Sequence, residues 1–236
     1  VTDKNGVAKS DTLPLGRYTI RETKAPMFYS AAAQPIEAEI EFSGQIVRIE
    51  VLNQSVYTNV SVSKRGYKQV TPSQTIRYDF KNIANNSTVP LNSFYWRDTL
   101  PTSAVRLTKI VTGTWNQRLS YKVVYKTNLH DYRTLADNLS TMKNYSLDAS
   151  SAALGLASNE YVTDFMFVFG TVKAGFAQVD APYIFCWTNS WLNNGYQFTN
   201  RTDVGGLHGG QWIMATDRWV TTVYKPGVTT LPKTGY

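Results

Sequence analysis

Apolar and polar residues alternate in short runs along this chain, most clearly at 58–64, 74–81, 92–98, 119–126, 161–169 and 196–204. A period of two is the signature of a strand that buries one face. Nearer the start, Arg17–Glu22 alternates, as does the second half of Gln45–Val51, with turn signals at Asn5-Gly6 and Leu15-Gly16. One stretch departs from this rhythm. Tyr132, Leu135, Ala136, Leu139 and Met142 recur at helical spacing, with Asp131 placed to begin a helix and Asn144-Tyr145 to end it. The pattern predicts a mainly β chain of two β domains in series, the second a β-sandwich of two antiparallel sheets with a short helix. The boundaries fall at 1–54, 55–224 and a flexible tail at 225–236.

Parity also places polar residues on apolar faces. Val60, Val62 and Lys64 share one face, Phe94, Trp96 and Asp98 another, and Tyr196, Phe198 and Asn200 a third. An unpaired charge there is expensive, so three such residues from separate strands suggest one site. Asp79 is the rival acid, but it shares parity with Arg77 and Lys81, opposite Ile76, Tyr78 and Phe80, and reads as solvent-facing. In the first domain Glu22 follows Tyr18 and Ile20, and Asn53 follows Ile49 and Val51. Either these two are paired, or they are solvated at strand ends.

Composition narrows the classes. Lys and Arg number 24 against 17 Asp and Glu, a net charge of +7, but the cations are scattered, without the dense block of a nucleic-acid reader. No apolar run reaches membrane-spanning length. The one cysteine, Cys186, excludes an internal disulfide and sits in the apolar run Ile184–Trp187. His130 and His208 lack the spacing of a metal site or a catalytic triad. No cofactor, metal or turnover enzyme is expected. The aromatic cluster Trp187, Trp191, Tyr196, Trp212 and Trp219 is core and sheet edge, or in part a binding surface.

Leu231, Pro232, Lys233, Thr234 and Gly235 spell LPKTG, with Tyr236 after them. This resembles the LPXTG sorting signal of Gram-positive surface proteins. The resemblance implies a sortase whose thiolate attacks the carbonyl of Thr234 and passes the chain to peptidoglycan or to a lysine of a neighbouring pilin subunit. It implies an extracellular, cell-wall-anchored protein, here a piece cut just past the motif. The stretch Leu13–Pro26, LPLGRYTIRETKAP, resembles the Cna B-type domain, a prealbumin-like sandwich, through Gly16, Tyr18, Glu22, Thr23, Ala25 and Pro26. Met27-Phe28-Tyr29 stands where that family has Gly-Tyr. In that family Glu and Asn serve a spontaneous Lys–Asn isopeptide bond, so Glu22 and Asn53 would form an incomplete site in a domain without its first, lysine-bearing strand.

The second domain is similar to Cna A-type and DUF11-like sandwiches through Ser61–Lys64, Thr71–Ile76, Trp96–Pro101 and Gly195–Val204, in that order. This resemblance implies an isopeptide bond between Lys64 and Asn200 assisted by Asp98; a buried Lys64–Asp98 ion pair beside Asn200 is the other reading. The function implied is a structural surface protein, pilin subunit or stalk. The alternative is an adhesin for collagen, another matrix protein or a glycan.

Overall fold

The structure, a computed structural model, describes residues 2–26, 29–32 and 34–227. The chain divides into two compact units, Val1–Tyr57 and Thr58–Tyr236. All regular structure in the described residues is β.

In the first unit β1 (Gly16–Ile20) and β3 (Ile36–Ile40) form an antiparallel pair with Tyr18 opposite Ala38. The short strands β2 (Tyr29–Ser30) and β4 (Gln54–Ser55) form a second pair. The strand expected within Gln45–Val51 is absent, and Glu22 lies beyond the end of β1. Alternation sets only side-chain parity, whereas a strand also needs a neighbour for its N–H and C=O groups. No described strand pairs with 45–51, and Ile46 is 82% exposed. No described residue before Val60 is buried.

The second unit holds β5 (Val60–Gly66), β6 (Gln69–Val70), β7 (Thr75–Asn85), β8 (Leu91–Thr99), β9 (Val105–Val111) and β10 (Ser120–Thr127). It continues with β11 (Arg133–Ser140), β12 (Ser146–Asp148), β13 (Val162–Val172), β14 (Tyr183–Thr188), β15 (Gln197–His208) and β16 (Gln211–Val223). A five-stranded sheet runs β12-β9-β14-β7-β5, and a seven-stranded sheet runs β11-β10-β13-β8-β15-β16-β6. Every pairing is antiparallel except β16 with β6.

The expected helix is instead the edge strand β11. Its apolar residues lose strict alternation because register shifts fall at Tyr121, Val123 and Val124 of the partner β10. Asn138 also turns into the left-handed region at φ 53°. A bulged strand displaces its inward side chains by one position, and the displaced spacing imitates a helical one.

The two sheets enclose an aromatic core. Trp96, Trp115, Tyr78, Phe80, Phe94, Phe165, Phe167 and Phe176 are fully buried. Trp96 packs edge-on to Phe80 at 4.6 Å and lies 4.6 Å from Phe167, and Trp115 stacks on Phe176 at 5.3 Å. Each such ring contributes about 1.5–3 kcal/mol by leaving water. The sheets also meet along β5. There the Lys64 N–H donates to Asp217 Oδ2 at 2.7 Å, and Trp219 Nε1 and Thr221 Oγ1 both donate to the Tyr67 carbonyl. Gly66 sits at this seam: a Cβ on it would lie 2.6 Å from the Tyr78 ring and 3.1 Å from Trp219.

Candidate functional site

Lys64 ends the inward series Val60, Val62, Lys64 on β5, so its side chain enters the core from the five-stranded sheet. Asp98 lies on β8 and Asn200 on β15, both inward from the seven-stranded sheet. Asp98 is opposite Thr202 in the ladder, which puts Asn200 diagonally beside it on the same face. All three residues are buried: Lys64 is 3% exposed, Asp98 and Asn200 0%.

Lys64 Nζ makes a short contact with Asp98 Oδ1. The other oxygen, Oδ2, accepts from Asn200 Nδ2 at 3.1 Å. Lysine and carboxamide therefore converge on the two ends of one carboxyl. Asn200 Oδ1 is buried and has no hydrogen-bond partner among the described residues. The amine also lies 3.9 Å from the Phe80 ring centre and 4.7 Å from that of Tyr78.

Burial dominates the electrostatics. It pulls the Lys64 ammonium down to about 8, against the attraction of Asp98. It also pushes the Asp98 carboxyl up, against Lys64 and Asn200. Both shifts favour the neutral amine and the neutral acid over two enclosed charges. Cys186 is buried on β14 and its thiol is pushed well above the usual range, which disfavours the thiolate.

Asp79 points outward, half-buried, and pairs with Arg77. Asp217 is a member of the seam that sequence reasoning missed. Its alternation with Ile213, Ala215 and Trp219 on β16 was the available signal. A second cluster also went unread: Glu160 accepts from Thr127 at 2.7 Å and meets His130 and Arg133. No spacing rule joins these four residues, since loops bring them together. His208 Nδ1 lies 3.3 Å from the Pro90 carbonyl.

In the first unit Asn53 Nδ2 donates to Glu22 Oε1 at 3.0 Å, and Glu22 Oε2 accepts from Ala32 N at 2.9 Å. Asn53 Oδ1 is buried without a hydrogen-bond partner among the described residues. Among the described residues no hydrogen bond or ion pair joins a lysine to either residue. Leu231–Gly235 and the rest of 228–236 lie outside the described residues. Among the described residues no group of His, Cys, Asp and Glu could hold a metal, and no helix is long and apolar enough to cross a membrane.

Residues 1–55 match the SpaA family, described as a prealbumin-like fold domain. No curated protein matches the chain. Among solved structures, the chain is similar to BcpA, the major pilin subunit of Bacillus cereus, at 16% identity and TM-score 0.32, covering 94% of this chain and 58% of that one. It is similar to the full-length major pilin SpaD of Corynebacterium diphtheriae at 18% identity and TM-score 0.33, covering 94% of this chain and 51% of that one. A collagen-binding domain from a Staphylococcus aureus adhesin shares 13% identity at TM-score 0.30, over 72% of this chain and 100% of that one. The chain thus spans 58% and 51% of the two pilins.

Proposed function

We propose that this chain is a load-bearing segment of an exported Gram-positive surface protein, a pilin subunit or stalk. In this reading a sortase joins Thr234 of the tail to peptidoglycan or to a neighbouring subunit. A self-formed amide between Lys64 and Asn200 staples the second unit. The observation that carries the reading is the buried convergence of Lys64 and Asn200 on the two oxygens of Asp98. The prealbumin-like family match of residues 1–55 adds to it, as does the LPKTG sequence.

The chemistry follows from burial. A neutral Lys64 amine is a nucleophile, and the fold holds it beside the carboxamide before any reaction. When Asp98 carries the proton, the carboxamide of Asn200 is better placed turned end for end, so that its carbonyl oxygen accepts from the acid. This turn also gives Oδ1 the partner it otherwise lacks. Nζ then bonds to Cγ of Asn200, and the Cγ–Nδ2 bond breaks. Asp98 relays one proton from Nζ to the departing nitrogen, which leaves as ammonia, and the carboxyl ends as it began. A chain with one cysteine gains in this way a covalent loop that no disulfide could supply.

In the first unit, Glu22 and Asn53 repeat the acid–carboxamide half of this arrangement. We assign them as an incomplete site that needs an amine from outside the described residues.

Intact-mass measurement tests the reading. The purified chain should weigh one ammonia less than its sequence, and peptide mapping should return the Lys64 and Asn200 peptides joined. A full, unmodified mass would remove the staple and leave a buried Lys64–Asp98 ion pair.

A further inference from the structure

We infer that the outer face of the five-stranded sheet is a binding surface for a linear acidic polysaccharide. On β14, Tyr183, Phe185 and Trp187 turn outward while Ile184, Cys186 and Thr188 are buried. This aromatic strand runs between two basic ones. Across the ladder Phe185 has Arg77 of β7 on one side and Lys109 of β9 on the other, and Trp187 lies between Thr75 and Arg106. Further along, Lys81 and Arg65 extend the basic side onto β5. Strand spacing puts Lys109 and Arg77 about 10 Å apart across the ring of Phe185.

The charge on this face is unbalanced. Asp79 is the only carboxylate carried by β5, β7, β9 or β14. It is taken up by Arg77, whose guanidinium also stacks 3.7 Å from the centre of the Tyr183 ring. Arg106 turns to the carbonyls of Thr102 and Val105. Arg65, Lys81 and Lys109 are exposed and form no ion pair among the described residues, although Asp148 of β12 neighbours Lys109. Unpaired cations around an aromatic strip attract an anionic partner whose repeat unit has an apolar face.

The form of the aromatic strip selects the partner. A single-stranded nucleic acid needs successive open ring faces for successive bases. Here Tyr183 is covered by Arg77, and the Tyr183 and Phe185 rings stand at 86° to each other. Trp187, 44% exposed, is the most exposed ring of the three, the other two being half-buried. Such a platform among cations set several ångströms apart suits a sugar ring stacked on the indole, with sulfate or carboxylate groups reaching Lys109, Lys81 and Arg65. This inference is independent of the amide between Lys64 and Asn200, whose side chains point to the opposite side of the sheets.

The test uses the whole chain with labelled heparin and hyaluronate oligosaccharides, and with neutral dextran, polyglutamate and an oligodeoxynucleotide as comparisons. At least one acidic glycan should bind, quench tryptophan emission and weaken as salt is raised. The triple variant R65Q/K81Q/K109Q should lose about tenfold or more in affinity, as the removal of three screened charges implies. Trp187→Ala should weaken binding while leaving the salt dependence in place. The variant K122Q/R201Q/R218Q removes equal charge from exposed positions on the other sheet and should bind as the parent does. Preference for heparin or for hyaluronate tells sulfate from carboxylate. Equal loss in both triple variants, equal binding of polyglutamate or the oligodeoxynucleotide, or no binding of either glycan would overturn the inference.

Discussion

Lys64 and Asp98 meet in the centre of the second unit although they belong to different sheets, one on the last strand of the five-stranded sheet and one in the middle of the seven-stranded sheet. Neither is exposed, and the groups that share their pocket are aromatic rings and a carboxamide. The pair therefore reports on whether the two sheets are joined by packing alone or by a bond as well.

Asp98→Ala should restore the full mass of the chain and leave Lys64 as a buried amine without its acid. Closing a loop of this length restricts the unfolded chain by about 5 kcal/mol, so the variant should unfold at much lower denaturant and yield faster to protease. Asp79→Ala, which removes an outward-facing partner of Arg77, should keep the lighter mass and nearly the parent stability. Mass and urea midpoint for both variants check this, and retention of the lighter mass in Asp98→Ala would exclude Asp98 as the proton relay.

Asn200→Ala should prevent the amide and expose the titration of Lys64. Its folded pKa, about 8, lies below the ordinary 10.5. Between these values the unfolded chain holds more protons, so stability rises with pH there; below about 8 the full burial penalty stands. The gain is at most about 1.4 kcal/mol per pH unit. Across this window the urea midpoint of Asn200→Ala should climb relative to that of Lys64→Met/Asn200→Ala, which keeps the opposing titration of the buried Cys186 thiol but lacks that of Lys64.

Glu160 should make the second unit acid-sensitive. The Thr127 hydroxyl first, then His130 and Arg133, hold its carboxyl down to about 2, against an ordinary 4.5. A depressed carboxylate contributes stability above its unfolded pKa, and that contribution is lost as pH falls from 4.5 toward 2. Thermal midpoints should fall through this window in the parent and fall less steeply in Glu160→Gln. Parallel curves would show that the cluster is not coupled to unfolding.

The first unit should retain its full mass. With Glu22 and Asn53 together but no lysine on them among the described residues, the whole chain should lose one ammonia and not two. Asn53→Ala should leave the mass deficit unchanged, and Asn200→Ala should abolish it. A deficit of two ammonias would place an amine on Asn53 after all.

The tail should be a sortase substrate. Incubated with a sortase and an amine nucleophile, the chain should gain the nucleophile at Thr234 and lose Gly235-Tyr236. Pro232→Ala should abolish transfer, because proline fixes the extended approach of the backbone. Transfer at an undiminished rate in that variant would rule out recognition of this motif.

Much of the second unit was legible because its strands bury one face and solvate the other. The inward series ending at Lys64, Asp98 and Asn200 is visible as parity alone. Parity fails where the ladder is irregular. β11 reads as a helix because register shifts on β10 and the turned backbone of Asn138 break its alternation. The strand expected within Gln45–Val51 has the alternation but no described partner. The Glu160 cluster was invisible for another reason: Thr127, His130, Arg133 and Glu160 lie on loops and strand ends, and the spacing of the first three is not a strand period and does not point to Glu160.

The position of β5 also bears on how the chain responds to tension. β5 opens the second unit, and β15 is the last strand but one before its end. With Lys64 bonded to Asn200, a pull applied at the two ends of the unit travels from β5 across the amide to β15 and out through β16. The backbone from 65 to 199, with the aromatic core it builds, is then a side branch that bears no load. Such a unit is inextensible rather than strong in the ordinary sense: its hydrogen bonds could all fail and the distance between Lys64 and Asn200 would not grow. Any lengthening under force would have to come from chain outside that span.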